Sequence, residues 1–141
     1  DMDTRRSTTG FVATLGSGAE LWGSRLQKTV AASTAEAQYI AASHCTRDML
    51  WLRTLLVELG VNAGTIDIKT DNQAALAIIK NPVLSMRSKH IDIAYHFTRE
   101  RVASGEVAFT YCATANMVAD SLTKAVPLDK HKICCKGMGM R

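Results

Sequence analysis

The strongest constraint on the fold is a change in hydrophobic period near residue 33. Before that point, residues 10–15 and 19–24 alternate as strands around Gly16-Ser17-Gly18, a pattern typical of a β-hairpin. From Ser33 to Leu59 the apolar residues recur at helical spacing, and Gly60 can end that helix. The helical stripe comprises Ala35, Tyr39, Ala42, Met49, Leu52, Leu56 and Leu59. A hairpin followed by a long amphipathic helix predicts an α/β layered structure.

The rest of the chain alternates strands and helices. Residues 65–70 predict a strand that runs into Asp71, followed by a helix that ends at Asn81-Pro82. A helix over 88–104, a strand over 106–111, a short helix from Asn116 and a last helical segment over 127–136 complete the pattern. Because 141 residues have room for one ordinary domain, we expect a single domain over 1–141, with 137–141 as a tail.

Composition excludes several classes of protein. With 47% hydrophobic and 21% charged residues the chain is globular, and it has no run near the roughly 20 apolar residues that cross a bilayer. Its net charge of +4 favours polyanions mildly. The 4 cysteines contain no CxxC pair, so we expect neither a zinc finger nor a disulfide framework. We expect an intracellular, cytoplasmic protein with no membrane partner, cut from a longer chain since it starts without Met.

Three acids lie where side chains from different elements can converge. Glu36 is in the first turn of the long helix, Asp71 follows a strand, and Asp120 is in the first turn of a late helix. Carboxylates are the hard oxygen ligands that Mg²⁺ prefers, and strand carboxyl ends collect ligand sites in α/β sheets. A Ser/His/Asp elbow, a P-loop and a GxGxxG motif are absent from the sequence. The acids therefore indicate a carboxylate metal centre.

Each acid also has a purely structural interpretation. Glu36 completes an S-x-x-E capping box with Ser33, Asp71 can cap the helix that follows it, and Asp120 is an ordinary first-turn acid. By the same reasoning, Trp22 and Trp51 are expected in the core rather than as base-stacking platforms. Taken one at a time, these residues do not decide between structure and catalysis.

Five segments, taken together and in order, favour catalysis over a purely structural role. They are RRSTTGF at 5–11, STAEAQY at 33–39, TDNQAA at 70–75, SKHIDIAYHFTRE at 88–100 and VADSLTK at 118–124. Together they resemble the ribonuclease H domain of copia-type LTR retrotransposon polyproteins, over residues 1 to about 136. The resemblance implies a ribonuclease H-like fold with a central mixed β-sheet flanked by helices. It also implies a nuclease that hydrolyses the RNA strand of RNA·DNA hybrids during reverse transcription.

The resemblance implies a metal site and partners as well. Glu36, Asp71 and Asp120 match three catalytic acids that hold two Mg²⁺ ions, for which Mn²⁺ can substitute. The implied partners are the RNA·DNA hybrid and the reverse transcriptase domain of the same polyprotein, in a cytoplasmic virus-like particle. The family's fourth acid lies on a central strand upstream of the RRSTTGF segment, so we expect that strand to be missing here. Cleavage by this chain is then expected to be weak or absent, and the alternative is a non-catalytic structural or nucleic-acid-binding remnant.

The sequence offers five candidate substrate-binding residues. Asn72 and Gln73 follow Asp71, and Arg87, Lys89 and His90 cluster where the helix over 88–104 begins. Free amides at a helix start strengthen phosphate contacts, which suits a hybrid's backbone. For each of these residues a solvated polar surface is the structural alternative.

Overall fold

The computed structural model describes residues 5–81 and 89–140, with side chains described outside residues 89–95. Its contacts divide the chain into two compact units. The first comprises Asp1–Ala37 with Cys112–Arg141, and the second comprises Gln38–Tyr111. Each unit has buried side chains of its own. The prediction of a single domain over 1–141 stays a prediction.

The first unit is built on an antiparallel hairpin. Strands β1 (Thr8–Leu15) and β2 (Gly18–Leu26) are joined by a turn in which Gly16 has a φ of 65°. A left-handed φ is unstrained for glycine, which explains the residue at this turn. Phe11 is buried opposite Gly23, where an added Cβ would lie 2.5 Å from the Phe11 ring. The hairpin thus buries one face through a large residue packed over a glycine.

Helical elements cover this hairpin. Helix α1 (Thr34–Glu58) begins in the first unit, and the carboxyl-terminal segment adds two 3₁₀ helices, η1 (Thr114–Asn116) and η2 (Val118–Leu122), and helix α4 (Leu128–Gly137). Gln27 is buried and donates hydrogen bonds through Nε2 to Thr9 Oγ1 at 3.0 Å and to Ala37 O at 2.8 Å. These bonds join both sides of the hairpin to the start of α1.

The last residues of the chain contact the hairpin turn. Ala19 N donates to Met138 O at 3.0 Å, and an added Cβ at Gly139 would lie 2.6 Å from Ser17 O. Gly139 also has a φ of 79°, so its lack of a side chain serves both a close approach and a left-handed backbone. The segment 137–141 is expected from the sequence to be a tail, yet its described residues pack on the first unit. Periodicity could not predict this contact, because backbone atoms make it.

One predicted helix differs in kind from the structure. The short helix expected from Asn116 is replaced by η1 and η2, separated at Met117, whose ψ is 106°. An extended residue cannot continue a helical hydrogen-bond ladder, so the segment forms two tight turns instead of one α-helix. Apolar spacing does not distinguish these possibilities over so few residues.

The second unit combines a parallel strand pair with helices. It contains the rest of α1, then β3 (Ile66–Thr70), α2 (Gln73–Lys80), α3 (Lys89–Ala103) and β4 (Val107–Tyr111). Strands β3 and β4 pair in parallel, from Ile66 opposite Val107 to Thr70 opposite Tyr111. Its buried apolar residues are Tyr39, Met49, Ile68, Ala75, Ile79, Val107 and Phe109. Residues from α1, both strands and α2 therefore form this core.

A mixed α/β structure is confirmed, while the ribonuclease H-like central sheet stays a prediction. In the described part of the chain, β1 pairs with β2 and β3 with β4, and they form two separate two-stranded sheets. A single central mixed sheet requires a strand hydrogen-bonded to both pairs, and the described residues supply none. Within residues 5–81 and 89–140, no helix combines the length and apolarity needed to cross a bilayer.

Two tryptophans expected in the core are exposed. Trp22 is 62% exposed because it pairs with Val12, on the face of the hairpin opposite Phe11. Trp51 is 61% exposed, because two residues beyond the buried Met49 is about 200° around a helix. Leu59 is 70% exposed, since α1 ends at Glu58 and the helical stripe ends with it. The core prediction was wrong for these three residues.

The chemistry of Cys45 gives a first testable prediction. Desolvation of its thiol by burial, with the Asp48 carboxylate adding to the effect, raises the pKa of Cys45 to about 12. Because the thiolate is the reactive form, Cys45 should be alkylated by iodoacetamide at pH 8 at least about a hundredfold more slowly than a thiol with an ordinary pKa. Peptide mass spectrometry over time measures this rate, with Cys112 in the same sample for comparison. The protection should disappear in urea, and equal rates for both thiols in the folded chain would contradict it.

Candidate active site

Asp120 lies in η2, which packs directly on the hairpin. An added Cβ at Gly10 would lie 2.5 Å from Thr123 Cγ2 and 3.3 Å from Ala119 O, so glycine lets this turn approach β1. On the neighbouring strand, Ser24 Oγ donates to Leu122 O at 2.6 Å. Both contacts flank Asp120, whose position is therefore fixed from two strands. Within the RRSTTGF segment, Gly10 contributes to this packing through its lack of a side chain.

The Asp120 carboxylate is buried and paired with two lysines. The residue is 7% exposed, with Lys124 Nζ at 3.0 Å from Oδ1 and Lys130 Nζ at 3.7 Å from Oδ2. A buried carboxylate requires such compensation, because an isolated charge is costly to remove from water. Neither lysine is among the site residues predicted from the sequence. Lys124 lies four residues after Asp120, a spacing that predicts pairing. Lys130 belongs to a different element, α4, so local spacing does not predict its pairing with Asp120.

Glu36 caps the start of α1. Its backbone N–H donates to Ser33 Oγ at 3.1 Å, and its Oε2 accepts a hydrogen bond from Ala32 N at 2.8 Å. The first bond is the one expected of a capping box, while the reciprocal bond goes to Ala32 instead of Ser33. The structural interpretation of Glu36 is thus confirmed in part. The same bonds hold the carboxylate in one place, which a metal ligand also requires.

Asp71 is not the cap of the helix that follows it. The cap of α2 is Asn72, whose Oδ1 accepts a hydrogen bond from Ala75 N at 2.9 Å. Asp71 lies between this cap and Thr70, the last residue of β3, at the carboxyl end of the parallel pair. The capping interpretation was wrong for Asp71, and it holds for its neighbour. Asn72 therefore has a structural role beside its predicted role toward substrate, whereas Gln73 is exposed at the start of α2.

The predicted site residues are distributed over both units. Glu36 and Asp120 belong to the first unit and Asp71 to the second. Among the described residues, no group of three or more His, Cys, Asp or Glu side chains could hold a metal ion. Convergence of the three acids therefore stays a prediction. Arg87 lies outside the described residues, and for Lys89 and His90 the backbone of α3 is described without the side chains.

The chemistry of the acids fits a hard divalent cation. All three offer carboxylate oxygens, the ligands that Mg²⁺ and Mn²⁺ accept. At Asp120, two ammonium groups stand where a cation would put its positive charge, so the local structure already holds positive charge against this carboxylate. The donor type of the three acids therefore suits such a cation, whereas the two ammonium groups at Asp120 oppose one.

Comparison with known proteins identifies relatives of the chain. Fold and acids define an α/β protein with carboxylates at or beside helix starts. The chain is 41% identical over 140 residues, 99% of its length, to the retrovirus-related Pol polyprotein from transposon TNT 1-94 of Nicotiana tabacum. It is 38% and 37% identical over 125 residues to the Pol polyproteins from transposons RE1 and RE2 of Arabidopsis thaliana. These Pol polyproteins from plant transposons are its homologues over most of its length, which supports a copia-type polyprotein fragment.

The chain spans only 10%, 8% and 9% of these three relatives. A shorter match, 42% identical over 52 residues, relates it to the secreted RxLR effector protein 161 of Plasmopara viticola, covering 37% of each chain. No protein-family model matches the chain. No solved structure matches it either.

The contact at Gly10 yields a stability prediction. Gly10→Ala should lower the free energy of unfolding by about 1–3 kcal/mol, the usual cost of overpacking, because η2 must move off β1. Gly18→Ala is the matched control, since an added Cβ there meets nothing within 4 Å. Urea denaturation of both variants measures the difference. Equal stabilities would show that η2 does not pack on Gly10.

The cap of α2 yields a second stability prediction. Asn72→Ala should destabilise the chain by about 1 kcal/mol through loss of the bond to Ala75 N, whereas Asn72→Asp should keep most of the stability. Gln73→Ala serves as the control, because Gln73 is exposed. Thermal unfolding followed by circular dichroism measures the stability of the three variants. A loss in Asn72→Asp as large as in Asn72→Ala would contradict the cap assignment.

Proposed function

We propose that the chain is the ribonuclease H region of a copia-type retrotransposon Pol polyprotein and that it hydrolyses the RNA strand of RNA·DNA hybrids. The observation that carries the proposal is the position of Asp71, directly after a strand of a parallel pair and next to Asn72, which takes the capping role instead. In α/β proteins this position is where ligand sites form. The similarity to Pol polyproteins over 99% of the chain supports it.

The order and direction of the elements also support this assignment. An antiparallel hairpin comes first, a 25-residue helix follows, and a parallel strand pair with intervening helices precedes the 3₁₀ helices and α4. This is the order that the resemblance to ribonuclease H implies. A continuous central sheet then needs one further strand beside both pairs, and the fourth acid is expected on that strand.

In the proposed site, Glu36, Asp71, Asp120 and the fourth acid would hold two Mg²⁺ ions. Bound ions of this kind activate the attacking water and stabilise the leaving 3′ oxygen. The chain's own contribution is to hold the carboxylates still: Glu36 by the Ala32 amide and Asp120 by η2. RNA would be chosen over DNA through its 2′-hydroxyl.

Binding of the hybrid is assigned to the basic start of α3 and to the start of α2. Arg87, Lys89 and His90 are proposed to contact backbone phosphates, and Gln73 is exposed beside Asp71. Because the amide oxygen of Asn72 accepts the capping bond, the NH₂ group is the part of this side chain that would donate to the hybrid. The reverse transcriptase domain of the same polyprotein is the proposed protein partner, in a reducing, intracellular setting that the four free cysteines suit.

A second candidate is a non-catalytic nucleic-acid-binding remnant. The pairing of Asp120 with two lysines favours it, because this acid is already neutralised. The partial similarity to the secreted RxLR effector protein 161 shows that a related segment occurs in a protein named for another role. A remnant would bind RNA·DNA hybrids through its positive charge and leave them intact.

A cleavage assay separates the two candidates. A labelled RNA·DNA hybrid and the matching DNA duplex are incubated with Mg²⁺ and either this chain or a form extended upstream by polyprotein sequence. We expect the extended form to cleave the RNA strand of the hybrid and this chain to cleave weakly or not at all. Asp71→Asn and Asp120→Asn in the extended form should each reduce the rate more than about a hundredfold, since direct ligands matter at least as much as their outer partners.

The matched control is Asp129→Asn, an equal change of charge at an exposed acid in the first turn of α4. It should leave the rate nearly unchanged. A folded extended form that binds the hybrid without cleaving it would overturn the nuclease and leave the remnant. Strong cleavage by this chain would show that the fourth acid is not required from upstream.

A further inference from the structure

The second unit exposes an apolar row on helix α1. Trp51 is 61% exposed, and Leu55, one helical turn further along, is 37% exposed. Residues four apart are neighbours on the same face of a helix, so the two side chains form one continuous apolar surface. Single exposed apolar residues are common on protein surfaces, whereas a contiguous pair that includes a tryptophan is typical of an interaction surface.

Opposite charges lie at the two ends of this row. Arg47 precedes Trp51 by one helical turn and Glu58 follows it by two, so both lie on the same side of α1 as the apolar pair. Both charged residues are exposed, and their positions along the helix axis are about 16 Å apart. We call Arg47, Trp51, Leu55 and Glu58 the α1 face. Along the helix this face changes from positive through apolar to negative.

The position of Arg47 is supported from α3. Its Cζ lies 5.3 Å from the centroid of the Phe97 ring, within the range of a cation–π contact. Attraction to a ring face does not require a directed hydrogen bond, so the guanidinium group keeps N–H donors for a carboxylate. Arg47 is therefore held at the end of the α1 face and can still form an ion pair there.

We propose that the α1 face binds the same face of a second copy of the chain, as an antiparallel helix pair around a two-fold axis. The axis passes between Trp51 and Thr54. It places Arg47 of each copy opposite the partner's Glu58, and Trp51 of each copy against the partner's Leu55. A two-fold interface must be complementary to itself, and this order of charges meets that condition only when the helices are antiparallel. In a parallel pair, like charges would face each other at both ends.

The size of the α1 face sets the expected strength of this dimer. A stable complex buries about 800 Å² per partner. One tryptophan and one leucine, with an ion pair at each end, supply about half of that area or less. The dimer should therefore be weak and depend on concentration, with a Kd above about 10 µM. The charges select the orientation of the pair, and the apolar contact holds it together.

Sedimentation velocity on the whole chain tests the apolar part. From about 5 µM to about 500 µM, the sedimentation coefficient should rise from that of a monomer toward that of a dimer. Trp51→Ala should stay monomeric over this range. Trp22→Ala is the matched control, because Trp22 is 62% exposed but lies on β2, and it should associate like the unchanged chain. A chain that stays monomeric at the highest concentration, or equal losses in both variants, would overturn the proposal.

Reversal of the charges tests the orientation. Glu58→Arg and Arg47→Glu each place like charges opposite one another at both ends of the pair, so each should weaken self-association at least about tenfold. An equimolar mixture of these two variants should associate like the unchanged chain, since every arginine then faces a glutamate. Glu20→Arg, an equal reversal at an exposed acid of β2, should have little effect. Folded variants that fail to associate in the mixture would overturn the antiparallel pair.

A second comparison covers a loss of folding in Arg47→Glu, which gives up the contact with Phe97. Glu58 is the last residue of α1, where a positive charge suits the helix dipole, so Glu58→Arg should fold. Circular dichroism verifies the fold of each variant. The ratio of dimer affinities between Glu58→Arg and Glu20→Arg then decides alone: a loss of at least about tenfold supports the α1 face, and equal affinities contradict it.

Discussion

A buried negative charge organises the first unit. Asp120 is 7% exposed, and a carboxylate removed from water must be compensated by nearby donors or cations. Lys130 supplies this compensation from α4 and simultaneously binds the carbonyls of Thr114 and Ala115. The pairing thereby connects η1, η2 and α4, which are short and would not be stable as isolated helices. The hairpin enters the same arrangement through Gly10 and through the bond from Ser24 to Leu122.

Much of the local structure could be predicted from the sequence. Both hairpin strands, the long helix, β3, α2, α3 and β4 lie within about two residues of the positions that the periodicity predicts. Two of the failures depend on contacts between elements. The side of α1 that carries Trp51 is decided by what packs on the helix, and the Lys130 bond to Asp120 joins residues of different elements. Local spacing contains no information on either.

The candidate site shows the same division between local and non-local signals. The sequence predicts a cap before α2 and gives that role to Asp71, but which residue caps the helix depends on backbone geometry, since the cap must accept from an N–H three residues ahead. Asn72 meets that condition with Ala75 N. The bond that caps α2 therefore belongs to Asn72 and not to the adjacent Asp71.

Capping and catalysis are often treated as competing explanations of an acid at a helix start, yet Glu36 shows that they are compatible. The bond from Ala32 N fixes one carboxylate oxygen at 2.8 Å and so restricts the rotation of the side chain before any cation arrives. A ligand that is already restricted loses less freedom on binding than a mobile one, which favours binding. At Asp120 the restriction comes from Lys130 and from η2. A structural bond that holds a carboxylate still is therefore also what a metal ligand needs, and the capping geometry of Glu36 does not count against its proposed role.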